Sequence, residues 1–216
     1  MVTGLAAGSA RLAQADTVLV LGDSISAGYG IQRGQGWVDL LAQRLAKTQP
    51  RHEVVNASIS GDTTGGGLAR LPDLLRRHQP ALVLVELGGN DGLRGYPTTS
   101  IRANITTMVQ LAQRAQARVV IVAMEIPPNY GERYITAFRQ VFRDVAQQLG
   151  VPLVPFLLGG VALNKSLMQA DGIHPTAAAQ PLLLETAWPA IHAALPPPAP
   201  AQRKRPRRMR TTTAAN

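Results

Sequence analysis

From Thr17 onward the chain alternates between short apolar runs and longer stretches whose apolar positions recur every three to four residues. The runs "TVLVLG" (17–22), "EVVNAS" (53–58), "ALVLVEL" (81–87), "RVVIVAM" (118–124) and "VPLVPF" (151–156) read as short strands, and "TVLVLG" and "ALVLVEL" are continuously apolar up to their ends. The continuous apolar pattern of those two predicts strands buried on both faces. Between them lie helical periods. In "GWVDLLAQRLAKTQ" (36–49), Trp37, Leu40, Leu41 and Leu45 share a face. "LARLPDLLRRHQ" (68–79) reads as a helix in which Pro72 is tolerable only near the first turn. "IRANITTMVQLAQRAQ" (101–116) is a third. "ERYITAFRQVFRDVAQQLG" (132–150) puts Tyr134, Phe138, Val141, Phe142, Val145 and Leu149 on one stripe, and Gly150 can end it. A last helix is predicted from about Thr176 to Ala194, bent at Pro189.

This β-α alternation, repeated five times, predicts an α/β domain with a five-stranded parallel sheet and helices on both faces. In that architecture ligands bind beyond the carboxyl ends of the strands. The chemistry should therefore lie in the residues that follow each run.

Composition narrows the reading. At 216 residues the chain is long enough for one substantial core. No apolar stretch approaches the roughly 20 residues of a membrane span. With no cysteine, disulfides, thiolate metal sites and cysteine catalysis are excluded. The net charge of +9 is a property of one end. Residues 196–216 carry six basic side chains and no acid, and removing them leaves 16 basic against 13 acidic residues, a net of +3. That Pro-rich, basic tail reads as a solvated disordered extension, with no specific nucleic-acid partner. Residues 1–15 read as a leader remnant or disordered N-terminus, because Ala13-Gln14-Ala15 resembles a signal-peptidase site without a basic region before it. The predicted organisation is therefore 1–15, a domain over 16–195, and a tail over 196–216.

After the first run comes "GDSISAGYG", which places Ser24 where the strand stops. After the second comes "NASISGDTTGGG", in which Gly61 allows close backbone approach to a ligand. It is not a phosphate loop, because Leu68 stands where Gly-Lys-Ser/Thr would continue. The spacing of Gly28, Gly30 and Gly34 likewise excludes the dinucleotide fingerprint. After the third run "GGNDG" presents Asn90, a neutral amide donor, and after the fifth comes "DGIHP", with Asp171 within reach of His174. Each piece alone is an ordinary turn. Together, at one sheet edge, they are what acyl transfer needs: a hydroxyl nucleophile, a carboxylate-oriented base and oxyanion donors. The Gly-x-Ser-x-Gly elbow is absent around Ser24. His52, His78 and His192 lack metal-ligand spacing and read as surface residues, so no metal is expected. Ile126, Pro127 and Tyr130, after the fourth run, are candidates to line an acyl groove, and "GLRGYP" (92–97) to cover it.

These blocks resemble the SGNH (GDSL) hydrolase family: "GDS" at 22–24, Gly61 in "SGDT", Asn90 in "GGND", and Asp171 and His174 in "DGIHP", in family order. The longer stretches "VVNASISGDTT", "GLARLPDLLRRHQP" and "VLVELGGNDGLRG" resemble its bacterial periplasmic esterase and thioesterase members. The resemblance covers about Ala15 to Leu195. It implies a flavodoxin-like three-layer α/β/α sandwich. It implies Ser24 as nucleophile, His174 as general base and Asp171 as its orienting partner. The oxyanion donors would be the N–H groups of Ser24 and Gly61 and the Asn90 amide. It further implies hydrolysis of small-molecule acyl esters and thioesters, as in arylesterases and lysophospholipases, by a cofactor-free monomer that is periplasmic or secreted. The alternatives are a carbohydrate O-acetylesterase and a non-catalytic lipid-binding module of the same fold.

Overall fold

The computed structural model describes residues 16–196; the leader-like segment and the basic tail lie outside the described residues. Five strands, β1 (Asp16–Gly22), β2 (His52–Asn56), β3 (Leu82–Glu86), β4 (Arg118–Val122) and β5 (Leu153–Val154), form one parallel sheet in the order β2-β1-β3-β4-β5. The connecting helices are α1 (Ser24–Ala27), α2 (Trp37–Thr48), α3 (Thr64–His78), α4 (Gly89–Leu93), α5 (Thr98–Arg114), α6 (Glu132–Leu149) and α7 (Gln180–Ala194). The order reverses at β1, so β2 and β3 flank it and the loops after β1 and β3 diverge there. That switch point is where an open α/β sheet leaves room for a ligand.

The runs that become β1, β3 and β4 are the central strands, covered on both faces, and β2 and β5 form the edges. Alternate residues of β1 enter opposite cores: Leu19 and Leu21 pack with the side chains of α3, α5 and α6, and Val18 and Val20 with those of α2 and α7. On α6 the buried stripe is Ile135, Phe138, Val141, Phe142, Val145 and Ala146, shifted slightly from the one expected, with Tyr134 only partly covered. On α2, Val38 joins Trp37, Leu41 and Leu45 in the core, and Leu40 sits at its margin.

Three local expectations are corrected. The α3 helix starts earlier than its apolar period, at Thr64, where the Thr63 hydroxyl accepts the Gly66 N–H at 3.2 Å. Pro72 is therefore mid-helix rather than in a first turn. It is tolerated because it lies on the exposed face, where water can satisfy the carbonyl one turn before it. The fifth strand is only Leu153–Val154, because Pro152 and Pro155 on either side have no N–H to give the ladder. His52, expected at the surface, is buried at the start of β2, and burial with Arg51 beside it lowers its pKa. Among the described residues no helix is long and apolar enough to cross a membrane.

Candidate active site

Ser24 stands directly beyond β1, as the first residue of the single-turn α1. Gly22 makes this position reachable. A Cβ there would lie 2.5 Å from the Glu86 carboxyl and 2.7 Å from the Ser26 Cβ, so only glycine fits where β1 turns into α1. The Asp23 carboxylate accepts the Ile25 N–H at 3.1 Å and caps the turn.

"DGIHP" folds into the turn its residues dictate, and the same carboxylate does two things. Asp171 Oδ1 accepts the N–H groups of Ile173 (2.9 Å) and His174 (3.0 Å), while Oδ2 lies 2.6 Å from His174 Nδ1. The imidazole and the two N–H groups hold the Asp171 pKa down at about 2. Asp171 is therefore an anion at any working pH, and Nδ1 carries the proton. The lone pair of Nε2 then faces Ser24 Oγ, 2.8 Å away across 150 residues of sequence.

Asn90 is carried by α4, which the sequence pattern did not predict; "GGNDG" reads as a turn and forms one helical turn. Its neighbour Asp91 anchors that turn to α3, accepting from the Thr64 N–H (2.8 Å) and the Thr64 hydroxyl (2.5 Å). The Asn90 amide donates one hydrogen to Asp23 Oδ2 at 3.1 Å, which leaves its second for a ligand. Gly61 lies in the loop after β2 with φ +79°, and its carbonyl accepts from Arg94 at 3.2 Å. Among the described residues no partner takes its N–H.

Ser24, Asn90 and His174 are among the residues that line a cavity of about 800 Å³. Its walls are mostly apolar, with Ile25, Leu93, Met124, Phe156 and Leu158 joining the expected Ile126 and Pro127, and Glu125, Glu132 and Arg139 also line it. Tyr130 is placed elsewhere. Its hydroxyl donates to the Leu93 carbonyl at 2.7 Å, so it braces the end of α4 and is not among the residues lining that cavity. The segment 92–97 is tied down further: the Tyr96 carbonyl accepts the Tyr134 hydroxyl at 2.6 Å and Arg94 reaches Gly61. Among the described residues no group of three or more His, Cys, Asp or Glu is placed to hold a metal ion.

Beneath Ser24 lies a network that sequence reasoning missed. Glu86, 1% exposed, accepts from the Ser26 hydroxyl (2.5 Å) and the Asp23 N–H (3.2 Å). The Ser26 oxygen in turn accepts the Trp37 indole N–H at 3.2 Å. The available signal was a glutamate at the end of an otherwise apolar central strand. Burial first, and then the Asp23 carboxylate, push the Glu86 pKa well above the ordinary range. Burial also raises Asp23 to about 6, against the Ile25 N–H, the charge of His174 and the Asn90 amide, which favour its anion.

The raised Asp23 pKa predicts a stability signature. Between about pH 4 and pH 6 the folded chain keeps a proton that the unfolded chain has released, so stability falls as pH rises through that window. Above it the full cost is present, up to about 3 kcal/mol at 1.36 kcal/mol per unit. Asp23→Asn removes this titration. Its melting temperature relative to wild type should be more favourable at pH 8 than at pH 4. A difference independent of pH would show that Asp23 ionises normally in the fold.

Known proteins can now be set beside this geometry. Residues 20–181, more than half the chain, match the GDSL-like lipase/acylhydrolase family. The chain belongs to that family. It is 55% identical over 179 residues to "Esterase TesA" of Pseudomonas aeruginosa, covering 83% of this chain and 89% of that protein. It is 47% identical over 175 residues to "Thioesterase 1/protease 1/lysophospholipase L1" of Escherichia coli, covering 81% of this chain and 83% of that one. Among solved structures, a TesA crystal structure superposes with a TM-score of 0.81 at 54% identity, covering 83% of this chain and all of the other. The family membership and this superposition bear out the expected three-layer fold.

Proposed function

We propose that this protein is a serine hydrolase of acyl esters and acyl thioesters that works through an acyl-serine intermediate. The observation that carries the reading is the relay Asp171–His174–Ser24, with links of 2.6 and 2.8 Å, opening onto a mostly apolar cavity large enough for an acyl chain. Relatives named as an esterase, a thioesterase and a lysophospholipase support the same chemistry.

In the first step Ser24 Oγ attacks the acyl carbonyl carbon while His174 Nε2 takes the hydroxyl proton. The imidazolium is held by the Asp171 anion. The carbonyl oxygen gains the electron pair and is met by the N–H groups of Ser24 and Gly61 and the free hydrogen of the Asn90 amide. Collapse of the adduct breaks the bond to the alcohol or thiol, which leaves with the proton from His174. Water, deprotonated by the same base, then attacks the acyl-serine, and the acid departs with Ser24 restored.

Asn90→Ala should lower kcat by about 10²–10³ with a smaller change in KM, since its hydrogen bond strengthens as the oxygen becomes an anion. A rise in KM with kcat unchanged would place Asn90 in ground-state binding instead.

The test of the whole reading is a panel of p-nitrophenyl esters and acyl-coenzyme A thioesters of increasing chain length, set against acetylated sugars. The size and apolar walls of the cavity predict higher kcat/KM for longer acyl chains than for acetyl. Preference for acetylated sugars would reassign the protein to carbohydrate O-acetyl esters. Absence of turnover on every substrate would favour a non-catalytic binding module.

A further inference from the structure

His174 sits on a loop without regular structure, and Asp171 belongs to the same loop. The carboxylate fixes the ring within the loop. It does not fix the loop against Ser24. We propose that Gln169 does so, as a positioning residue that fastens the base-bearing loop to the turn that carries the nucleophile. This rests on the reading of Ser24 and His174 as nucleophile and base.

Both hydrogens of the Gln169 side-chain amide are committed. One goes to the Tyr29 carbonyl at 2.8 Å and the other to the Pro175 carbonyl at 3.0 Å. The Gln169 N–H donates to the His174 carbonyl at 2.8 Å, and the Gln169 carbonyl accepts from Gly172 at 3.0 Å. Tyr29 is joined to the nucleophile in turn, since its N–H donates to the Ser24 carbonyl at 3.1 Å. A continuous path of hydrogen bonds therefore runs Ser24–Tyr29–Gln169–His174. Among the described residues, only this amide and the His174–Ser24 contact join 165–176 to 23–31 by a side-chain hydrogen bond.

Two further features fit the same role. Gly30 has φ +74°, and a Cβ there would lie 2.1 Å from Gln169 Oε1, so the nucleophile turn leaves room for the amide only because residue 30 has no side chain. The Tyr29 ring, though half exposed, lies against the His174 imidazole with centroids 4.5 Å apart. The amide that grips the Tyr29 backbone thus also holds this ring over the base. Met168 and Pro175 are buried at the base of this turn, but its tip, residues 169–174, is exposed or half-exposed, and without the amide that tip, with His174 on it, would be free to shift at low cost.

The test uses Gln169→Met, close in size but without the two donors. Wild type and variant are compared in p-nitrophenyl butyrate hydrolysis and in labelling of Ser24 by a phosphonate. Displacing a reacting group by about 1 Å costs on the order of 10²-fold, so kcat should fall by about that factor. KM should be nearly unchanged, and the melting temperature should move by only a few degrees. Gly30→Ala approaches the same contact from the other loop and serves should Gln169→Met fold poorly. The double variant should lose little beyond Gln169→Met, because both changes release one contact. Near-normal kcat in Gln169→Met, or losses that multiply in the double variant, would overturn the proposal while wild type remains active and labelled at Ser24. A wild type that neither hydrolyses the ester nor labels at Ser24 would overturn the functional reading itself.

Discussion

Ser24→Ala is expected to lower kcat for ester hydrolysis by about 10⁶, the scale on which loss of a serine nucleophile acts when the rest of a triad is intact. The fold should survive. Ser24 is half-buried at the start of α1, and among the described residues its side chain bonds only to His174. Removing it leaves the Asp23 cap on Ile25 and the Glu86–Ser26 bond in place. Melting temperature should therefore stay close to wild type. Phosphonate should label the wild-type protein at Ser24 and leave the variant unlabelled. Substantial turnover in a folded, purified Ser24→Ala protein would remove the nucleophile from the mechanism and with it the acyl-serine intermediate.

The second large effect is expected at Asp171→Asn. If the carboxylate only closed the turn, the amide would serve nearly as well, since its oxygen can still accept the Ile173 and His174 N–H groups. The 2.6 Å contact with Nδ1 decides otherwise. The amide carbonyl can take the turn or the ring, and its NH₂ facing the ring favours the tautomer with the proton on Nε2. That tautomer has no lone pair for the Ser24 hydroxyl. The expected fall in kcat is on the order of 10⁴. His174→Ala should be at least as damaging, and adding Asp171→Asn to it should cost little more, because the residues act as a unit. The low Asp171 pKa adds a separate expectation. The Asp171 anion is lost only as pH falls toward about 2, so the acid limb of the activity profile above that pH belongs to another group. Multiplying losses in the double variant, or an Asp171→Asn enzyme with near-normal turnover, would return the aspartate to a turn-forming role.

Much of this was legible in residue order because it depends on local pattern. Short apolar runs, continuous in "TVLVLG" and "ALVLVEL", call for a sheet covered on both faces, and the helical periods between them supply the cover. Parallel strands follow from the crossovers, and the strand ends locate the site. The side chains at those ends, Ser24, Asn90, Asp171 and His174, were visible because turn residues and glycines mark where each strand stops. Tyr130 lies away from Ile126 and Pro127 because proximity along the chain says nothing about which way a ring turns, and the 3₁₀ turn Pro128–Tyr130 that ends on it points its hydroxyl to Leu93. Helix α3 began early because its first turn is held by a hydroxyl cap and carries almost no apolar period.

The sequence by itself determined the fold class, the edge on which chemistry can occur and the residue types available there. Only the tertiary structure decided which of them meet. The 2.8 Å between His174 and Ser24 joins residues 150 apart, the Asp23–Asn90 bond joins residues 67 apart, and Gln169 reaches Tyr29 across 140. No local period encodes such distances. They are set by the order of strands in the sheet and by the packing of two cores against it. The same holds for Glu86, whose burial beneath the nucleophile shifts its pKa. Desolvation depends on what surrounds a group in three dimensions, and the chain order lists only its neighbours in one.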